Sequence, residues 1–127
     1  MTMHVELVSP ERILYSGEAD MVVARTTDGE IAFLTGHAPF IGALGIGIVK
    51  VTGSEGEERA AVHGGFVEVS DDRVTILSDV AELASQIDVD RARRALEAAE
   101  RRAREMDDAE AEAALRRAHV RLEVTGA

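Results

Sequence analysis

The amino-acid sequence changes character near Asp88, and no other feature restricts the available folds as much. From Asp88 to Thr125 there is no glycine and no proline, and alanine, arginine and glutamate dominate. Ten of the eleven glycines and both prolines, Pro10 and Pro39, fall in the first 65 residues. Glycine and proline punctuate turns between strands, whereas Ala, Arg and Glu favour helix. The chain is therefore expected to hold two units of different architecture, a β unit over residues 1–86 and a helical unit over residues 87–127.

In the first unit, short segments rich in β-branched residues follow one another closely. They run over residues 5–9, 12–15, 19–25, 30–34, 41–44, 46–52, 59–63, 66–70 and 73–78. Asp28-Gly29, Gly64-Gly65 and Asp71-Asp72 read as tight turns between them. Phe66-Val67-Glu68-Val69-Ser70 alternates cleanly, as a strand with one buried face should. Many short strands with frequent turns predict a β-sandwich or barrel. With three Phe, one Tyr and no Trp, its core must be built from Val, Ile, Leu and Ala.

In the second unit the period switches to that of a helix. Val89, Ala92, Leu96, Ala99, Ala103 and Met106 are spaced three and four apart and form one narrow seam. Asp107 with Glu110 three residues later reads as a capping box that opens a second helix. Ala111, Leu115, Ala118 and Leu122 continue the seam on that helix. So short a break implies an antiparallel hairpin. Its alanine seam allows close approach but buries little area, at about 0.8 kcal/mol per buried CH₂, so the hairpin should be weakly held.

Charge narrows the partners. Residues 1–87 carry 14 acidic and 5 basic side chains, while residues 88–127 carry 10 acidic and 9 basic, all nine of them Arg. An acidic body repels nucleic acid and anionic membrane surfaces. There are no cysteines, so disulfides and thiol chemistry are excluded. The first residues lack the basic and apolar regions of a signal peptide, and no apolar stretch suffices to cross a membrane as a helix. A cytoplasmic protein is expected, reaching a membrane through partners and without direct insertion.

The residues at the break carry the best ligand-binding pattern. Asp88 precedes the helical pattern and suits an N-cap, with Ile87 as the hydrophobic staple. Antiparallel pairing sets Arg91 and Arg121 level at the open end of the hairpin, with Arg117 one turn away. Guanidinium groups suit phosphate, and a helix N-terminus adds positive potential. Two readings of these arginines stand, a phosphate cluster or solvated side chains paired with acids. The remaining helix charges read as a solvated face. The four histidines show no metal-ligand spacing, and Gly42-Ala43-Leu44-Gly45-Ile46-Gly47 lacks the order and the Lys-Ser/Thr of a phosphate loop. No nucleophile–base pair can be named, so catalysis within this chain is not expected.

Ser16-Gly17-Glu18-Ala19, Asp28-Gly29-Glu30-Ile31-Ala32-Phe33-Leu34-Thr35-Gly36-His37-Ala38-Pro39 and Gly64-Gly65-Phe66-Val67-Glu68-Val69 together resemble the epsilon subunit of bacterial rotary (F-type) ATP synthase. The resemblance runs through the switch to a helical hairpin. It implies a ten-stranded β-sandwich followed by an antiparallel two-helix hairpin. It also implies a non-catalytic central-stalk subunit that binds the gamma subunit and the c-ring at the cytoplasmic face of the cell membrane. The extended hairpin would reach the catalytic alpha and beta subunits and restrain ATP hydrolysis; the compact one would permit turnover. No cofactor is required. Some members bind ATP as a regulatory ligand at a motif that Ile87, Asp88, Arg91 and Ala92 match, with Glu82, Arg117 and Arg121 matching its other residues. Ala98 stands where the best ATP binders carry a further Arg, which lowers the expected affinity. The resemblance also places Glu30, His37 and Glu68 at the sandwich end facing the c-ring.

Overall fold

A computed structural model describes residues 1–106 and 108–126. Eight strands are followed by two helices among these residues: β1 (Met3–Val8), β2 (Ile13–Ala19), β3 (Met21–Thr26), β4 (Gly29–Leu34), β5 (Phe40–Gly53), β6 (Gly56–Ser70), β7 (Arg73–Leu77), β8 (Ala81–Leu83), α1 (Val89–Glu105) and α2 (Ala109–Val124). A single 3-10 turn, Ala84–Gln86, joins β8 to the helical unit. The β-sandwich and the two helices are those expected, but the strand count is lower than ten.

The difference arises at two bends. The segments expected at 41–44 and 46–52 are one continuous strand, β5, and those at 59–63 and 66–70 are one strand, β6. Glycines in their middle permit a bend without ending the ladder: Leu44 pairs with Gly65 and Ile46 with His63. Gly64 and Gly65 have φ of 89° and 113°, a region closed to most side chains. Ser78 secures the bend from outside, its hydroxyl donating to Gly64 O at 2.7 Å. The pattern also passed over β8, which has three residues and pairs with Ala60, Ala61 and Val62 of β6.

The hydrogen-bonded order is β2-β1-β7-β6-β5-β3-β4, with β8 also on β6. Because β5 and β6 bend, their outer halves serve different layers. Val67 and Val69 of β6 pair toward β7 and β1, while Ala60 and Val62 lie beside β8. Met3, Val5, Leu7, Val22, Phe33, Val49, Val62, Val67, Val69, Val74 and Ile76 fill the space between the layers, all at most 2% exposed. This is the Val, Ile and Leu core the composition demanded, with Phe33 its one fully buried aromatic side chain.

Asp88 caps α1, its carboxylate accepting from Arg91 N at 3.1 Å. The cap expected at Asp107 lies outside the described residues; Asp108 caps α2, accepting from Ala111 N at 2.7 Å. Ala92 is buried on α1, and Leu96, Ala99 and Ala103 are half-buried, as the seam predicts. Met106 does not belong to it. Its backbone has left the helix, with φ −124° and ψ 104°, and its side chain is 50% exposed. The helices pack on one another, and α2 then packs on β5 and β6. The hairpin therefore lies folded against the sandwich, with α2 as its inner helix.

Candidate functional site: the hairpin base and the outer sheet face

The base of the hairpin is built around Glu82. β8 sets this residue opposite Ala61 of β6, at the edge of the sheet that α2 covers. Arg121 Nε donates to Glu82 Oε1 at 2.6 Å, joining the last turn of α2 to the sandwich. Arg117 turns along its own helix instead, its guanidinium donating to Glu110 at 2.8 Å. Arg91 has no acidic partner among the described residues, and its backbone N–H is taken by the Asp88 cap. Counting from Met106 back to Arg91 and from Asp108 forward to Arg121, a rise of 1.5 Å per residue puts the two arginines level to within about 3 Å.

The structure thus brings Glu82 and Arg121 into contact and places Asp88 and Arg91 at the start of α1. Ile87 is half-buried at the end of the 3-10 turn, and Ala92 is 5% exposed in the seam. Two of the three arginines are already neutralised, so a phosphate would have to compete with Glu82 and Glu110 for them. Ala98, where another guanidinium was absent by sequence, is an exposed position of α1 and adds no donor.

Sequence reasoning missed His63. Its side chain is 2% exposed, neither ring nitrogen has a hydrogen-bond partner, and Nε2 lies 3.9 Å from Glu82 Oε1. Burial pushes its pKa down from 6.5 to about 4, Arg121 and Arg117 push the same way, and Glu82 opposes them. The missed signal was strand alternation. Ala60 and Val62 face the core, so Ala61 and His63 face out; an outward alanine that is 0% exposed must be covered by another element.

A concavity of about 470 Å³ lies elsewhere, between β2 and the β5–β6 turn. Glu18, Glu55, Glu57 and Glu58 line it, and Tyr15 beside them has its hydroxyl pKa raised, first by burial and then by Glu58, Glu55 and Glu18. Such a cleft repels phosphate. A second, of about 330 Å³, separates α2 from β5 and holds Arg25, Glu30, Arg116, His119 and Glu123, of mixed charge.

Glu30, His37 and Glu68 are not gathered at one place. Glu30 begins β4 beside α2, whereas His37 lies beyond the other end of that strand, past about 13 Å of extended chain. The His37 ring packs edge-on against Phe33 at 5.0 Å and Phe40 at 6.4 Å. Phe40 pairs with Val69, and Ile41 with Glu68, so His37 and Glu68 share one end of the sandwich.

A second surface stands out across the outer face of the other layer. Strand register aligns Ala43, Phe66, Leu77, Val8 and Ile13 in a single row running over β5, β6, β7, β1 and β2. Phe66, Leu77 and Ile13 are 58%, 49% and 60% exposed, and Ile41 beside them is 70% exposed. Exposed apolar patches of this kind are common at protein–protein contacts.

Two known protein families match the chain. Residues 2–84 match the family described as ATP synthase, Delta/Epsilon chain, beta-sandwich domain, and residues 85–126 match ATP synthase, Delta/Epsilon chain, long alpha-helix domain. The ATP synthase epsilon chain of Thermobifida fusca is 53% identical over 94% of this chain and 89% of that protein. The epsilon chain of Halalkalibacterium halodurans is 45% identical over 98% of each. A chain in the cryo-EM structure of the Euglena gracilis mitochondrial ATP synthase, OSCP/F1/c-ring, superposes with a TM-score of 0.83 at 26% identity, covering 99% of this chain and 82% of that one. A chain of the Tetrahymena thermophila mitochondrial ATP synthase central stalk and c-ring shares the fold, with a TM-score of 0.55 at 19% identity over 68% and 69% of the two. A sandwich with an exposed apolar row, an alanine-seamed hairpin and matches spanning both units lead to one assignment: the chain belongs to the ATP synthase epsilon chain family.

Proposed function

We propose that this chain is a rotor component that docks its sandwich on the gamma subunit and the c-ring and regulates ATP hydrolysis through the hairpin. The observation that carries the reading is the apolar row formed by Ala43, Phe66, Leu77, Val8 and Ile13. Burying three large, half-exposed side chains there would supply several kcal/mol at about 25 cal/mol per Å², enough to seat the sandwich on a stalk. The end holding His37 and Glu68 is the surface we assign to the c-ring. The chain itself performs no catalysis in this reading. It works at the cytoplasmic face of the cell membrane as a peripheral part of the complex.

In the same proposal the hairpin has two arrangements. Among the described residues α2 is tied to the sandwich by the Arg121–Glu82 ion pair, and the buried residues of the two helices are Ala92, Ala111, Ala118 and Val124. Released, the helices would reach the catalytic alpha and beta subunits. ATP is the proposed regulatory ligand, held by Arg91, Arg117 and Arg121 with Asp88 and Glu82 beside them, and it favours the compact arrangement only by its excess affinity for that state.

The docking claim is tested with Phe66→Glu combined with Leu77→Glu. Both side chains face solvent, so the fold should survive, while binding to the gamma subunit should be lost; unchanged binding would refute the assigned face. Calorimetric titration of the isolated chain with ATP to millimolar concentration tests the ligand. Absence of heat there removes ATP from the proposal without touching the rotor assignment.

A further inference from the structure

We infer that His63 makes the docking of α2 proton-sensitive: the helix closes over a neutral imidazole, and a proton taken up by that ring drives the helix off. The inference rests on the reading of a movable hairpin. The ring lies on the outward side of β6, next to Ala61, and its 2% exposure arises because α2 packs across this face. A neutral imidazole tolerates such a place, since one nitrogen is an acceptor and the other a single donor. An imidazolium has two donors, and both positions lack partners here.

The groups around the ring do not favour the cation. β8 contributes Glu82, whose Oε1 is 3.9 Å away but is already engaged by Arg121 at 2.6 Å. α2 contributes two cations, Arg121 and Arg117, both of which oppose protonation. On β5 the neighbouring outward residues are Ile46, opposite His63, and Ile48, opposite Ala61, and neither carries charge. The Ser78–Val80 turn offers Val80 O to the His63 backbone N–H and not to the ring. Two positive groups thus face the imidazole against one carboxylate that is shared.

The direction of the linkage follows. While α2 is docked the imidazole titrates at about 4; released and solvated, it returns to about 6.5. Opening therefore takes up a proton below neutrality, and docking loses ground as pH falls from 6.5 toward 4. Between pH 7.5 and 5.5 these two values weaken docking by about tenfold.

Amide exchange on the full chain tests the inference, comparing α2 with β5 and β6 at pH 7.5 and 5.5 after correction for intrinsic rates. In the wild type the opening constant of α2 should rise by about tenfold at the lower pH; in His63→Gln it should change by less than about twofold. An equal pH response in both proteins overturns the inference and leaves the movable hairpin standing. Opening of α2 solely together with the strands, at both pH values, overturns the movable hairpin and the inference with it. Should His63→Gln fail to fold, the ring is titrated by NMR in the wild type. Titration near 6.5 while α2 stays protected from exchange refutes the inference, and titration near 4 supports it.

Discussion

The ion pair between Glu82 and Arg121 allows the hold of the sandwich on the hairpin to be measured directly. The N–O distance is 2.6 Å, and the two side chains are 35% and 32% exposed. A fully exposed pair contributes about 0.2–1 kcal/mol, and a charge-assisted hydrogen bond shielded from water about 1.5–3. Partial exposure places this one near 1 kcal/mol, because solvent still screens both groups. Removing either partner should then raise the opening constant of α2 by about fivefold. Removing both should cost little more than removing one, since the second loss has no interaction left to break. The assay is amide exchange in α2 for the wild type, Glu82→Gln, Arg121→Gln and the double variant, read as a thermodynamic cycle. A coupling energy below about 0.3 kcal/mol, with the single effects simply adding, would show that the pair does not hold the helix.

Other consequences can be checked separately. A Cβ at Gly65 would come within 2.0 Å of Leu77 O at a φ of 113°, so Gly65→Ala should cost upwards of about 3 kcal/mol in chemical denaturation; Gly29→Ala, with no atom within 4 Å of its Cβ position, should cost only the backbone strain of its φ of 127°, about 1–3 kcal/mol. Asp108→Ala removes the cap of α2 and should lower stability by about 1 kcal/mol, seen as faster exchange confined to the hairpin. His63 titration should shift upward in Arg121→Gln, which removes the largest opposing charge, and downward in Glu82→Gln, as read by ring NMR. In ATP titration, Arg91→Ala with Arg121→Ala should abolish binding; unchanged affinity would move the phosphates elsewhere.

Much of the architecture was legible because local chemistry and tertiary structure agree. The loss of glycine after Asp88 marks the passage to helix, and spacing alone picked Ala92, Leu96, Ala99 and Ala103 for the seam. The strand count was not legible. A glycine between two apolar runs looks the same whether a ladder ends there or bends through it, and at Gly45 and Gly64 it bends. β8 was hidden because three residues are too few to show a period. The site was legible only in its separate parts. Asp88 as a cap follows from its place before the helix, whereas the contact of Arg121 with Glu82 depends on which helix lies inward. His63 was passed over because its environment is made by α2, 48 residues or more along the chain for every residue from Ala111 onward.

The bend shared by β5 and β6 has a mechanical consequence. The row holding Phe66 belongs to one layer, while His63, three residues earlier, lies beneath α2 in the other. These surfaces are joined by continuous covalent strand and by the ladder between β5 and β6, with no flexible loop between them. A torsion applied at the row would reach the floor under α2 as shear along that ribbon. The point where the ribbon could yield, Gly64 and Gly65, is clamped by the Ser78 hydroxyl on Gly64 O. The two surfaces are thus joined through paired strand and not through loop.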